Sequence, residues 1–412
     1  MIRPSTFVLF VVACALFVVR GAFAERFVVQ SGLEWSTLAT KLKPGDEIVL
    51  ARGTHMPASF TGLAGSPFAP IVIRSAAPEQ LAEIAADREA IKLVDCRHIR
   101  IERIGVRNAR RAGILIESSK PGSSTDISIT DVLVAGAKGL AEESGIVARG
   151  VRDLGIRRSR FENCLGCGIL IDDCENLTIS DVQIASRTDL APACGVRLTG
   201  RVWSALIERV QMAGPIAVAF DIGRSESTLH APPQTSTAPT ATGPKPEPAS
   251  PAVSPTAPTA PALADPLVRF LVISNIRISG VHRLFDVGSA ADSAIRNVTH
   301  REAHEEVYRI SAPPRGRPAV QLRMSECLVT WLPGSLRRLG FVEDNVEAKG
   351  LVLGPNLWWS DELPAALALL GPVEQPFPGT VEAKQIMDVP PKFDARSRVI
   401  NEEASGFGAE VE

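Results

Sequence analysis

The chain has 412 residues and a net charge of −2; 45% of it is hydrophobic but only 5% aromatic, with a single tyrosine. The length suits one large solenoid or two ordinary domains. A nearly balanced charge excludes the basic field that recruits nucleic acid, and the shortage of aromatic rings points to a thin core of stacked Ile, Val and Leu.

Residues 1–24 read as a secretory signal. Arg3 supplies the positive end, Phe7 to Val19 the apolar run, and Ala22-Phe23-Ala24 the cleavage site. The run is short for a membrane span. A competing reading, lipoprotein processing at Cys14, would leave an even shorter apolar run. No later stretch is long and apolar enough to span a bilayer, so the mature chain is expected to be exported, to the periplasm or the exterior.

Phe27-Val28-Val29 reads as a first strand. Ser31-Gly32-Leu33-Glu34 fits a capping box, and Leu33, Trp35, Leu38 and Leu42 form a helical apolar stripe that Pro44-Gly45 stops. A short capping helix is therefore expected, lying over the first mouth of the fold. Strands follow at 46–54 and at Ile71–Ser75.

From residue 90 onward the chain repeats. Ala90-Ile-Lys-Leu, Gly113-Ile-Leu-Ile, Gly145-Ile-Val-Ala, Gly168-Ile-Leu-Ile, Gly195-Val-Arg-Leu and Ala217-Val-Ala-Phe start 23, 32, 23, 27 and 22 residues apart. A fixed period with loop-sized additions marks a solenoid. A second strand in each repeat puts Ile101, Ile129, Ile156, Ile179, Ile207 and Ile273 in one column. Alternation of period two gives each strand one buried face. The pattern predicts an all-β parallel β-helix with coils about 4.8 Å apart.

Four positions after the start of that second strand the residues read Arg103, Asp131, Arg158, Asp181, Arg209 and Asn275. Alternating signs predict a neutralising salt-bridge ladder in preference to an anion track. Six cysteines follow the signal. Cys167 and Cys194 each precede a repeat glycine one coil apart, which makes them the candidate disulfide. Cys164-x-x-Cys167 resembles a metal pair but has no second pair or histidine nearby.

Residues 229–266, built of Pro, Ala, Thr and Ser, cannot form a core and read as a disordered insertion. The repeat resumes at Phe270 and runs to about residue 352. The domain plan is thus signal 1–24, regular coils 25–228, insertion 229–266, later coils 267–352 and a C-terminal capping tail 353–412. That tail includes an expected short helix at 361–370 and two tryptophans, Trp358 and Trp359, suited to capping or to stacking on sugars.

These repeats, with an N-terminal helix followed by Pro-Gly-Asp-x-Ile-x-Leu, resemble the right-handed parallel β-helix of the pectin-lyase-like superfamily over residues 26–350. The resemblance implies a groove along the strand that begins at the repeat glycine, walled by the loops of variable length before Gly145 and Gly195. It also implies acidic polysaccharide as the partner and, in the lyase branch, calcium as the cofactor.

On that strand one outward column reads Glu117, Arg149, Asp172, Thr199 and Asp221. Glu117 and Asp172, two coils or about 9.6 Å apart, are the candidate acid–base pair with Arg149 between them. Arg149 would hold both ionised, which is poor for a general acid. Arg197, Asp221 and Glu143 are the candidate substrate contacts, and Asp172 and Asp173 the candidate calcium ligands, with Glu142 and Glu143 nearby. The other column, Leu115, Val147 and Leu170, is an apolar strip that needs a cover or a protein partner. The motifs of polygalacturonase-like members are absent apart from a displaced Asp172-Asp173. Function reads as an exported β-helix that binds, and in one reading cleaves as lyase or hydrolase, acidic polysaccharide. The alternative is a non-catalytic structural or protein-interaction solenoid.

Overall fold

The computed structural model describes residues 24–77, 79–136, 144–187, 193–223, 267–312, 320–343 and 350–360, with short pieces at 380–381, 384–386, 391–392 and 407–408. The signal segment up to residue 23, Glu142, Glu143, the stretch 229–266 and the helix expected at 361–370 lie outside the described residues.

The chain winds as a parallel β-helix with three sheets. One coil illustrates the path. Cys194–Glu208 runs through the first sheet, turns at Gly200 and continues into the second; Gln211–Ala213 forms the third. Every part of this coil pairs parallel with the coil before it. Cys167 lies opposite Cys194, Ile179 opposite Ile207, and Ile184 opposite Met212. The same registers continue backward to Arg26–Val29 on the second sheet and Ala58–Thr61 on the first, and forward to Asn356–Trp359 on the third. Inward residues merge into one continuous core from Val29 to Trp358.

The repeat glycine has a packing cause. A Cβ on Gly113 would stand 2.6 Å from Val134 Cγ1, and one on Gly168 2.9 Å from Ile184 Cδ1. Here the start of the first sheet touches the inward side chain of the third, and no space remains for a methyl group. The corners have their own signature. Asp131, Arg158, Asp181, Arg209 and Asn275, between the second and third sheets, all have φ between 46° and 57°. The chain must reverse direction there, and left-handed residues make the reversal tight. The expected ladder is built on these residues: Arg158 grips Asp131 at 2.8 and 3.0 Å, and Arg209 grips Asp181 at 2.7 and 3.1 Å.

Two expectations need correction. The N-terminal helix is a single 3-10 turn, Ser36–Thr40, and the capping box does not form. The Ser31 hydroxyl donates instead to the Thr54 carbonyl at 2.8 Å, tying the chain to the next corner. Trp35 enters the core edge-on to Phe60, and Leu38, Ala39 and Leu42 pack on that core. The sixth repeat is displaced by two residues. Val218 lies opposite Cys194 and Asp221 opposite Arg197, so Ala219, not Ala217, holds the glycine position. A slip of two keeps every side chain on its face, so alternation alone cannot detect it.

The described chain leaves the first sheet at Gly223 and resumes at Leu267, at the start of the second. Gly223 N–H donates to Leu198 O at 2.8 Å, and Leu267 O accepts from Val202 N–H at 2.8 Å. Both ends of the interruption thus rest on the coil that carries Gly200. Among the described residues no helix is long and apolar enough to cross a membrane.

Candidate functional site

The first sheet presents the predicted column in register. Glu117 stands opposite Arg149, Arg149 opposite Asp172, and Asp172 opposite Thr199. Lys92, one coil earlier, reaches Glu117 Oε2 with its Nζ at 2.9 Å, and Arg149 Nη1 lies 3.5 Å from Oε1. Partial burial opposes the charge on Glu117, but the Lys92 hydrogen bond and the charges of Lys92, Arg149 and Arg111 outweigh it and hold the carboxyl below its ordinary range. An acid held ionised cannot deliver a proton to a leaving group near neutral pH.

Asp172 and Asp173 serve the next coil. Asp172 Oδ1 accepts the Thr199 hydroxyl at 3.1 Å, and Asp173 Oδ1 accepts the Arg201 N–H at 2.6 Å. A Cβ on Gly200, whose φ is +59°, would lie 2.5 Å from each of these oxygens. The two carboxylates therefore straddle the Gly200 corner. Among the described residues no group of three or more His, Cys, Asp or Glu side chains is placed to hold a metal. Calcium takes six to eight oxygens, to which Asp172 and Asp173 would contribute two side chains.

Arg197 and Asp221 are not open groove residues. Both are buried, joined by Arg197 Nε to Asp221 Oδ2 at 2.9 Å. Further along the same face, Arg283 Nη2 meets Glu306 Oε1 at 2.6 Å, Arg309 Nη2 meets it at 2.5 Å, and Ser311 Oγ donates to Asp286 at 2.9 Å. The apolar strip is also closed. Leu115 is 1% exposed, Val147 5% and Leu170 8%, clustered with Ala112, Cys167, Cys194 and Val218. The strip therefore has its cover within the chain, and the expected protein partner has no open face there.

Cys167 and Cys194 are adjacent but stand as free thiols. In-register parallel neighbours keep their Cβ atoms near the strand spacing of about 4.8 Å, just beyond the disulfide range of about 3.5–4.5 Å. Burial pushes the Cys194 thiol well up, and Cys167 beside it adds to the effect. Cys164 packs in the core while Cys167 joins the outer cluster, so the wall separates the Cys-x-x-Cys pair.

The open concavity lies one corner away. Where the first sheet turns into the second, a cleft of 390 Å³ is lined by Gly150, Arg152, Asp173, Glu175, Arg201 and Trp203 among others. It begins directly after the Arg149 and Asp172 positions. Arg152 Nε binds Glu175 at 2.9 Å. Asp173 is engaged with the Arg201 backbone. The Arg201 guanidinium has no carboxylate partner among the described residues. Trp203 is 46% exposed. Trp358, by contrast, is 3% exposed and belongs to the core, which removes it as a stacking residue. Trp203 and Arg201 escaped the sequence reading, although alternation marks them: Val202 points inward, so its two neighbours on the strand, Arg201 and Trp203, point out.

Residues 83–202 match the family model described as a right handed beta helix region. Among solved structures, the chain is similar to the alginate lyase from Paenibacillus sp. str. FPU-7, with 15% identity and a TM-score of 0.50 over 88% of this chain and 99% of that one. It is also similar to the periplasmic alginate epimerase AlgG, with 8% identity and a TM-score of 0.48 over 87% and 82% of the two chains. For the pectate lyase Pel9A the values are 9% and 0.47, over 90% and 80%. Identities this low speak for the fold alone. No curated protein matches the sequence. With its three parallel sheets and left-handed corners, the chain is a right-handed parallel β-helix of the pectin-lyase-like fold.

Proposed function

We propose that this protein is an exported β-helix that binds acidic polysaccharide in the corner cleft and does not cleave it on the first sheet. The observation that carries the reading is the cleft itself: open, with an arginine, Arg201, that has no carboxylate partner among the described residues, beside an exposed tryptophan. Arginine without an ion pair suits a carboxylate in bidentate geometry, and an exposed indole suits a pyranose face. Binding is favoured over cleavage because Glu117 is held ionised and Arg197 and Asp221 are closed off. The fold shared with an alginate lyase makes alginate the first polymer to try.

The test uses the purified mature chain with alginate, polygalacturonate and a neutral glucan, each with and without calcium. Calorimetry follows binding, while ultraviolet absorbance of unsaturated uronates and reducing ends follow cleavage. Binding to the acidic polymers, weakened by salt and about tenfold by Arg201→Ala, is expected, without product. Product formation abolished by Arg149→Ala would make the protein an enzyme of the first sheet. Absence of binding to either acidic polymer would end the reading.

A further inference from the structure

The second sheet carries one bulky ring at a position where the other coils place polar side chains. In each regular coil one position on this sheet adopts a left-handed backbone: His98, Asp126, Asp153, Asn176, Ser204, Phe270 and Asp292, with φ between 49° and 61°. Six of the seven are polar, and most are short side chains that tolerate this region. Phe270 is the exception, with φ of 55° and 44% exposure. A bulky ring in the left-handed region is strained, and a half-exposed ring regains little by burial. Strain held by a ring that stays largely open to solvent points to use.

What Phe270 adjoins gives the use. Its ring centroid lies 5.7 Å from that of Trp203, one coil back. Arg269, register partner of Trp203, packs on both rings, with its guanidinium carbon 5.1 Å from the Trp203 centroid and 5.2 Å from that of Phe270. Arg269 is held in turn by Asp292 at 3.1 Å. Arg269 therefore braces both rings, and Trp203 lines the cleft together with Glu175 and Arg201. On the Trp203 strand, Arg201 is two residues away and on the same side, a separation of about 6.6 Å. That matches a pyranose ring carrying a carboxylate on its edge.

Resting on the binding reading above, we propose that Trp203 and Phe270 form a two-coil stacking platform for consecutive residues of a uronic-acid polymer, with Arg201 receiving the carboxylate of the residue on Trp203. Arg269 is a positioning residue that keeps the indole upright. The ligand lies along the solenoid axis on the second sheet, outside the closed face of the first.

The experiment compares wild type with Trp203→Ala, Phe270→Asn and Arg201→Gln, using calorimetry with uronate oligosaccharides and neutral oligosaccharides of equal length. Phe270→Asn installs a residue type that other coils use, so its thermal midpoint is expected to hold or rise while uronate binding weakens several-fold. Trp203→Ala is expected to weaken binding about tenfold. Arg201→Gln is expected to remove the preference for uronate over the neutral sugar. Wild-type affinity in both aromatic variants would overturn the platform and leave the binding reading standing. Failure of wild type to bind any uronate would overturn both.

Discussion

His300 is fully buried, its Nε2 2.9 Å from the Val281 carbonyl. Burial drives its pKa down to about 4; the Val281 hydrogen bond opposes the shift and His304 nearby adds to it. The folded state thus holds the neutral ring, whereas the unfolded chain takes up a proton near pH 6.5. The stability this group contributes is complete above about pH 6.5, falls as the pH drops, and stops falling near pH 4. The loss is on the order of 3 kcal/mol. Urea midpoints at pH 7.5 and 4.5 are expected to differ by less in His300→Leu than in wild type; equal differences would show that the ring is protonated in the fold. At this scale Trp203 also shows what a sequence conceals. Alternation makes it outward, but only the fold brings an open cleft beside its ring and a guanidinium, that of Arg269, onto it.

Among the structural elements, the corner ladder was legible because its positions recur at a constant offset from the buried isoleucine column. Alternating sign foretold the pairs Asp131–Arg158 and Asp181–Arg209, and the structure adds that each member has a left-handed backbone. The Arg209 bond is the leading cause that holds the Asp181 carboxyl below its usual value. Both pairs are half-exposed, so solvent screens them. A double-mutant cycle on Asp181→Ala and Arg209→Ala is expected to give a coupling below about 1 kcal/mol, lost in molar salt. A coupling that survives high salt would mean a pair far better shielded than its exposure indicates. The sixth repeat was not legible in full, because a two-residue slip conserves the inward and outward faces. That slip matters: it places Asp221 against Arg197 and turns two expected groove contacts into a buried pair. The capping box failed for a different reason, since the Ser31 hydroxyl had a partner on a neighbouring coil that no local motif could reveal.

At the scale of the whole molecule, periodic alternation specified the fold because every coil repeats one packing problem. The functional face did not follow from it. The resemblance pointed to the first sheet, yet that face is closed, by apolar side chains over the early coils and by paired charges over the later ones. The interruption between Gly223 and Leu267 is neutral to this architecture. Ile222 lies opposite Leu198 and Val268 opposite Val202, so only the length of one residue, that of Gly200, separates the two ends in the register of the coil beneath. Replacement of residues 224–266 by a single glycine is therefore expected to leave the circular dichroism spectrum unchanged and the urea midpoint equal or higher, because loop closure becomes cheaper. Loss of cooperative unfolding would show that the segment holds the coils together.

Because Gly223 and Leu267 rest on the coil of Arg201 and Trp203, both points at which the described chain is interrupted lie one coil from the arginine and the tryptophan of the cleft. A ligand or domain grafted between these two points would therefore be delivered beside the cleft, at a local concentration independent of that in bulk.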